Sequence, residues 1–235
     1  MDDKNKNLKK AFKAAFPHTI PILTGFLFLG MTYGLYMRVS GFSLVYPVIM
    51  SLVIFGGSLE FIAVQMLLSA FAPLQTFIMS LMIQARHIFY GLAMLEKFKG
   101  TGKLKPYLIF GMCDESFSIN CSAEIPEDID KGLFMFFVTV LNQLYWVTGA
   151  ASGWLLGGLI SFNTDGLDFV MTAMFVVIFL DQLLKEKSHY TAVIGTAASV
   201  VCLIIFGADS FLIPAMISIV LLLTVFRSRI ERQDS

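Results

Sequence analysis

The stretch QARHIFYG, residues 84–91, sets Arg86 and His87 side by side at the end of an apolar run, residues 73–83. That run is too greasy for an ordinary solvated helix. In hydrocarbon, an arginine beside a histidine costs several kcal/mol unless both face a polar cavity or a charged partner. A chain that keeps them there is expected to handle something polar inside a membrane.

The composition carries the same message. The chain is 57% hydrophobic and 14% charged, with a mean hydropathy of +0.76, where soluble domains carry about 25% charged residues. A span needs ~20 apolar residues, so the pattern predicts an all-α polytopic membrane protein of about seven or eight membrane segments. Residues 1–15, with Lys4, Lys6, Lys9, Lys10 and Lys13, read as a basic cytoplasmic lead-in. Residues 16–226 form a single transmembrane domain, and residues 227–235, with Arg227, Arg229 and Arg232, a cytoplasmic tail. The first apolar segment has no A-x-A-like cleavage site and runs on into further hydrophobic chain, unlike a removable signal. Cys113, Cys121 and Cys202 show no CxxC spacing, which argues against a disulfide framework or a zinc site. No cofactor, metal or nucleic acid is implied. GGSLEF (56–61) lacks the lysine of a phosphate-binding loop, and no nucleophile–base spacing suggests an enzyme.

Lys and Arg in short loops set orientation. The lead-in, the 97–105 loop with its four lysines, the 185–187 break and the tail are therefore expected inside. The acidic loop 124–130 is expected outside, with residues 106–121 as a span between the two. Counting every apolar stretch as a crossing breaks this scheme. It is restored if residues 42–72 enter and leave on the outer side, folding at Gly56–Ser58, and residues 151–184 do the same from the inner side near Asp165. GGSLEF and DGLDF (165–169) then become matching elements of two inverted halves, about 16–95 and 132–206. Broken helices meeting at the midplane of inverted repeats mark transporters. A chain of plain spans with a bend at each glycine is the alternative.

Gly57 and Ser58 open a half-helix whose first N–H groups lack intrahelical partners and favour an anion such as a carboxylate. Ser58 capping the helix, with Glu60 complementing its dipole, is the plainer account. Asp165 and Asp168 have the spacing of a capping pair. Asp114 and Glu115 sit amid an apolar span, where acids are functional by default. One of them can face a cavity while the other pairs with Arg86, since neighbours on a helix point about 100° apart. Arg86 stays charged and needs a counter-ion, and His87 can relay a proton. Snorkelling of both to headgroups is the competing account. Tyr90 lies one turn on, on the same face as Arg86. His18, Trp146 and Trp154 read as packing or interface anchors.

GFLFLGMTYG (25–34), GGSLEF (56–61), QARHIFYG (84–91), DES (114–116) and GLDF (166–169) occur in an order that resembles the AzlC family of branched-chain amino acid permeases, over residues 15–226. The resemblance implies a large subunit that works with a small AzlD-type membrane partner and exports leucine, isoleucine and valine. It implies substrate contacts at Gly57, Ser58, Glu60, Arg86, Asp114 and Asp168, and proton coupling through Glu60, His87 or Glu115. Family members often carry Gln where this chain has Glu60. A permease for another small organic solute and a non-transporting membrane scaffold remain alternatives.

Overall fold

The computed structural model describes residues 2–159, 189–207 and 211–230, with residues 176, 179, 180, 183 and 184 between them. Among these residues the secondary structure is all helical. The helices are α1 (Asp2–Val39), α2 (Val45–Val53), α3 (Gly57–Leu68), α4 (Pro73–Ile83), α5 (Arg86–Met94), α6 (Lys105–Phe110), α7 (Asp114–Ser122), α8 (Lys131–Leu156), α9 (Tyr190–Phe206) and α10 (Leu212–Ile230). A 3-10 turn, Gly102–Leu104, precedes α6. The chain forms two compact units, residues 1–165 and 166–235. In the second unit α9 packs on α10, burying Ala198, Cys202 and Ala215. Asp165, Asp168 and most of 151–184, the expected second re-entrant segment, lie outside the described residues.

Two described helices are long and apolar enough to cross a membrane, Asn5–Val39 and Lys131–Leu156, or three if α4 and α5, bent by 52°, count as one. The lysines of the lead-in are the first turns of α1 itself. At the start of α8, Asp130 caps the helix by accepting the backbone N–H of Leu133 at 2.9 Å, satisfying one orphan donor of the first turn.

In the first unit α1 and α8 run parallel, as the order of their contacts shows. Phe12 meets Phe137, Phe26 meets Trp146, and Leu35 and Arg38 lie beside Gly157. Glycines on both helices bring the backbones together: Gly30 and Gly34 on α1, Gly149 and Gly153 on α8. A Cβ at Gly30 would stand 2.8 Å from the Trp146 carbonyl oxygen, and one at Gly149 2.9 Å from that of Leu27. This is the small-xxx-small packing by which membrane helices associate without a hydrophobic drive.

The α1–α8 pair is a ruler for everything else. One end carries the basic lead-in, and the loops that follow α5 and α7 return there. Lys10 pairs with Asp128 at 3.0 Å, and Lys97 donates to the carbonyls of Asn120 (3.2 Å) and Cys121 at the end of α7. Beneath these contacts Ala15, Met94, Phe98, Leu108, Phe134 and Val138 share one buried apolar cluster. The acidic loop therefore sits at the same end as the lead-in, not the opposite one, and residues 106–121 are not a span. α6 has six residues and α7 nine. Neither reaches across a core of about 30 Å at 1.5 Å per residue, and the chain doubles back at Gly111–Cys113. Acidic residues have little say in orientation, so their loop was a poor guide to sidedness.

The α2–α3 pair doubles back from the other end. Trp154 near the far end of α8 donates to the Phe42 carbonyl at 2.8 Å. At mid-helix, Gln143 donates to the carbonyl of Leu52 at 3.0 Å. Beyond the break, Phe61 stacks on Tyr36 of α1 and Gln65 bonds the Tyr36 hydroxyl, so α3 climbs back to the end where α2 began.

Candidate functional site

Both hairpins break at the middle of α8, and the sequence around the two breaks is alike. Ile-Phe-Gly closes the first arm each time, at residues 54–56 and 109–111, and an acid follows each glycine by four positions, Glu60 and Glu115. Phe55 has φ +44°, a left-handed conformation that costs an L-residue about 1–2 kcal/mol. The surrounding contacts hold the break in this shape.

At the α2–α3 break the buried acid is fully partnered. Glu60 is 0% exposed. Its carboxylate accepts from Ser51 Oγ at 3.0 Å, from the backbone N–H of Gly56 at 3.2 Å, and from Trp146 Nε1 at 3.0 and 3.1 Å to its two oxygens. None of the ion pairs among the described residues involves it; those are Lys10–Asp128, Arg86–Asp114 and Lys99–Glu96. The acid ties α2, α3 and α8 together. Gly57 is the first residue of α3 and faces the Trp146 ring, where a Cβ would stand 3.0 Å from it. Ser58 is the second residue of the helix and makes no cap; Gly56 occupies the cap position.

The other break is different. Gln84 ends α4 and packs its amide on Gly56, Arg86 opens α5, and Asp114 opens α7. Arg86 Nη1 lies 2.9 Å from Asp114 Oδ2, with 39% and 33% of the two side chains exposed. Glu115 is half-buried in the first turn of α7. Buried polar atoms without a partner gather here: Gln84 Oε1, Arg86 Nε, His87 Nδ1, Asp114 Oδ1 and Asn142 Oδ1. The remaining atom of this kind among the described residues is Asn120 Oδ1, at the far end of α7. Buried polar groups are normally paired, and each orphan carries a desolvation penalty of about 1–3 kcal/mol. Five of the six such atoms among the described residues therefore belong to one half-finished polar network built on the Arg86–Asp114 pair.

α8 reads both breaks. Asn142 donates to Ser116 Oγ of α7 at 3.0 Å. Gln143 donates to Leu52 and accepts from the Tyr107 hydroxyl of α6 at 2.6 Å. Trp146, one turn past Asn142, holds Glu60. Asn142 and Gln143 went unread in the sequence, and Trp146 was read as a packing or interface anchor. The signal was there: Asn142 and Gln143 are adjacent amides within an apolar helix, and such groups bond across helices. No group of three His, Cys, Asp or Glu side chains suited to a metal occurs among the described residues.

Broken helices, glycine-packed spans and a buried polar cluster between them define a multi-pass helical membrane protein. The sequence comparisons narrow this further. The profile of the AzlC protein family matches residues 21–160, and the chain belongs to that family. It is 56% identical over 232 residues to the branched-chain amino acid transport protein AzlC of Bacillus subtilis, covering 99% of this chain and 91% of that protein. It is 47% identical over 225 residues to an uncharacterized membrane protein of Haemophilus influenzae, covering 95% and 92% of the two chains. A third relative, an uncharacterized membrane protein of Helicobacter pylori, is 39% identical over 222 residues, covering 94% and 97%. No solved structure matches the chain.

Proposed function

We propose that this protein is a secondary transporter that exports branched-chain amino acids, leucine, isoleucine and valine, with methionine a further candidate, by exchange for protons. The Bacillus relative is named for transport of this substrate class, and the small AzlD-type partner remains part of the reading. One observation carries it. The unpaired atoms at the α4–α5 and α6–α7 breaks supply both signs needed by a zwitterion: a guanidinium N–H at Arg86, and acceptors at Asp114 and Gln84. Arg86 holds the carboxylate and Asp114 receives the ammonium. Apolar side chains take the branched chain, and a pocket of that kind separates single methylenes by only about 1–3 kcal/mol. Glu60, His87 and Glu115 are the proton-coupling candidates. Gly57 and Ser58 belong to the break whose acid is already satisfied, which favours Arg86 over the α3 amides as carboxylate holder. Asp168 stays a candidate by motif alone.

In the membrane this places α1, α4–α5 and α8 as crossings, with α2–α3 re-entrant from outside and α6–α7 from inside, an inverted pair around the α8 polar residues. The ion pair with a third of each side chain exposed then faces a wet passage, since lipid contact at that depth is costly.

The test is leucine efflux. Cells that express this chain, with and without a small neighbouring membrane protein, are preloaded with a leucine-containing dipeptide. Efflux above empty-vector cells is expected; efflux equal to empty vector in both cases removes the transporter reading.

A further inference from the structure

We infer that Asn142 of α8 is a substrate-binding residue that, with Asp114 and Gln84, forms a three-acceptor cage for the primary ammonium of the transported amino acid. This rests on the transport reading above and specifies it further.

Asn142 is 0% exposed. Its amide nitrogen is committed to Ser116 Oγ at 3.0 Å, which fixes the direction of the side chain, and its carbonyl oxygen has no partner. Cys113 also donates to Ser116 Oγ, at 3.3 Å, so the hydroxyl that holds the amide is itself held. Two contacts and two short sequence separations put the three acceptors at neighbouring positions. Gln84 lies two residues before Arg86, Arg86 binds Asp114, and Ser116, the anchor of Asn142, lies two residues past Asp114. The open atoms Gln84 Oε1, Asp114 Oδ1 and Asn142 Oδ1 are all acceptors. A primary ammonium carries three N–H donors and no acceptor, and with His87 Nδ1 as the protonated nitrogen of its ring the count matches. The other break offers nothing comparable, because Trp146, at the equivalent place one turn along α8, is bonded to Glu60.

The match in number makes a specific prediction. N-methylleucine keeps the carboxylate and side chain but has one N–H fewer, and 2-hydroxy-4-methylpentanoate has no ammonium at all. The purified full-length chain is assayed for binding of labelled leucine, with both analogues as competitors. Wild type is expected to prefer leucine over each by about tenfold or more, the scale of a lost charge-assisted hydrogen bond. Asn142→Ala is expected to bind leucine at least about tenfold more weakly, and the hydroxy acid as wild type does. Its preference for leucine over N-methylleucine should shrink. Asn142→Asp keeps the acceptor and the shape, and is expected to retain leucine binding, which guards against a variant that merely misfolds. The inference is overturned if Asn142→Ala binds leucine like wild type, if it loses leucine and the hydroxy acid by the same factor, or if Asn142→Asp also loses leucine. Wild type that binds no leucine, yet is folded, overturns the transport reading and the cage with it.

Discussion

Replacing Glu60 separates its structural role from any role in proton coupling. The three donors around its carboxylate are Ser51 Oγ, the Gly56 N–H and Trp146 Nε1, and the side chain is fully buried. In Glu60→Gln the oxygen can keep the Oε1 place, where it accepts from Gly56 and from Trp146 at 3.2 and 3.0 Å. The new NH2 then occupies the place facing Ser51, whose hydroxyl turns from donor to acceptor. The bonds from Gly56 and from Trp146 to the Oε1 place are kept and only the second indole contact, 3.1 Å to the other oxygen, is given up, so the variant should lose about 1 kcal/mol. Glu60→Ala orphans the Gly56 N–H, the indole N–H and the serine together. At about 1–3 kcal/mol for each buried orphan, plus a cavity, it should lose at least roughly 3 kcal/mol. Ser51→Ala removes a donor from the buried carboxylate in wild type and an acceptor for the new amide in Glu60→Gln, so it should cost about 1–3 kcal/mol in either background. Reversible unfolding in detergent micelles, followed by tryptophan fluorescence, measures all four. An amide variant as unstable as the alanine one, or a Ser51→Ala change without cost in either background, would show that this network is not what holds the break. In transport, Glu60→Gln that remains folded but loses the pH dependence of efflux would identify Glu60 as the coupling acid. Unchanged pH dependence would pass that role to His87 or Glu115.

Other outcomes follow from the packing and the topology. Gly34→Ala drives a Cβ into the Ala150 carbonyl and should destabilise by about 1–3 kcal/mol, whereas Gly25→Ala, with nothing within 4 Å of the new atom, should be neutral or slightly stabilising by helix propensity; thermal melts of the two in detergent decide. In a variant with its native cysteines replaced, single cysteines at Lys10 and at Glu124 should label from the same face and one at Ala72 from the opposite face; labelling of residues 10 and 124 from opposite faces would undo the hairpin assignment of α6–α7. Lys10 beside Asp128 holds that carboxyl below the usual carboxylate range. The sign is that of a depressed acid: any stabilisation exists above its unfolded titration point and disappears as pH falls through the lower folded one. The pair is exposed and screened, so Asp128→Asn should leave the melting temperature at neutral pH almost unchanged.

Much of this was legible in the letters. Counting residues 42–72 as one crossing put the lysines of 97–105 on the wrong side, and the structure folds the segment back at its Gly-Gly break. Arg86 demanded a counter-ion, and Asp114 meets it at 2.9 Å. Sidedness failed where an acidic loop was given a vote it does not have, and where the short arms around Gly111 were added into a single span. Sequence spacing could not show that an indole on a distant helix bonds Glu60. The amides of α8 were overlooked because one Asn and one Gln scarcely alter the hydrophobicity of a helix, although at that depth each must find a partner.

The account rests on the unpaired polar atoms at the α4–α5 and α6–α7 breaks being a binding site for an amino acid. Saturation binding of labelled leucine to the purified chain, compared with Arg86→Gln and Asp114→Asn variants that keep wild-type melting behaviour, tests it most directly. Saturable binding by wild type and its loss, by about tenfold or more, in both variants is the predicted result; variants that bind leucine as tightly as wild type would contradict it.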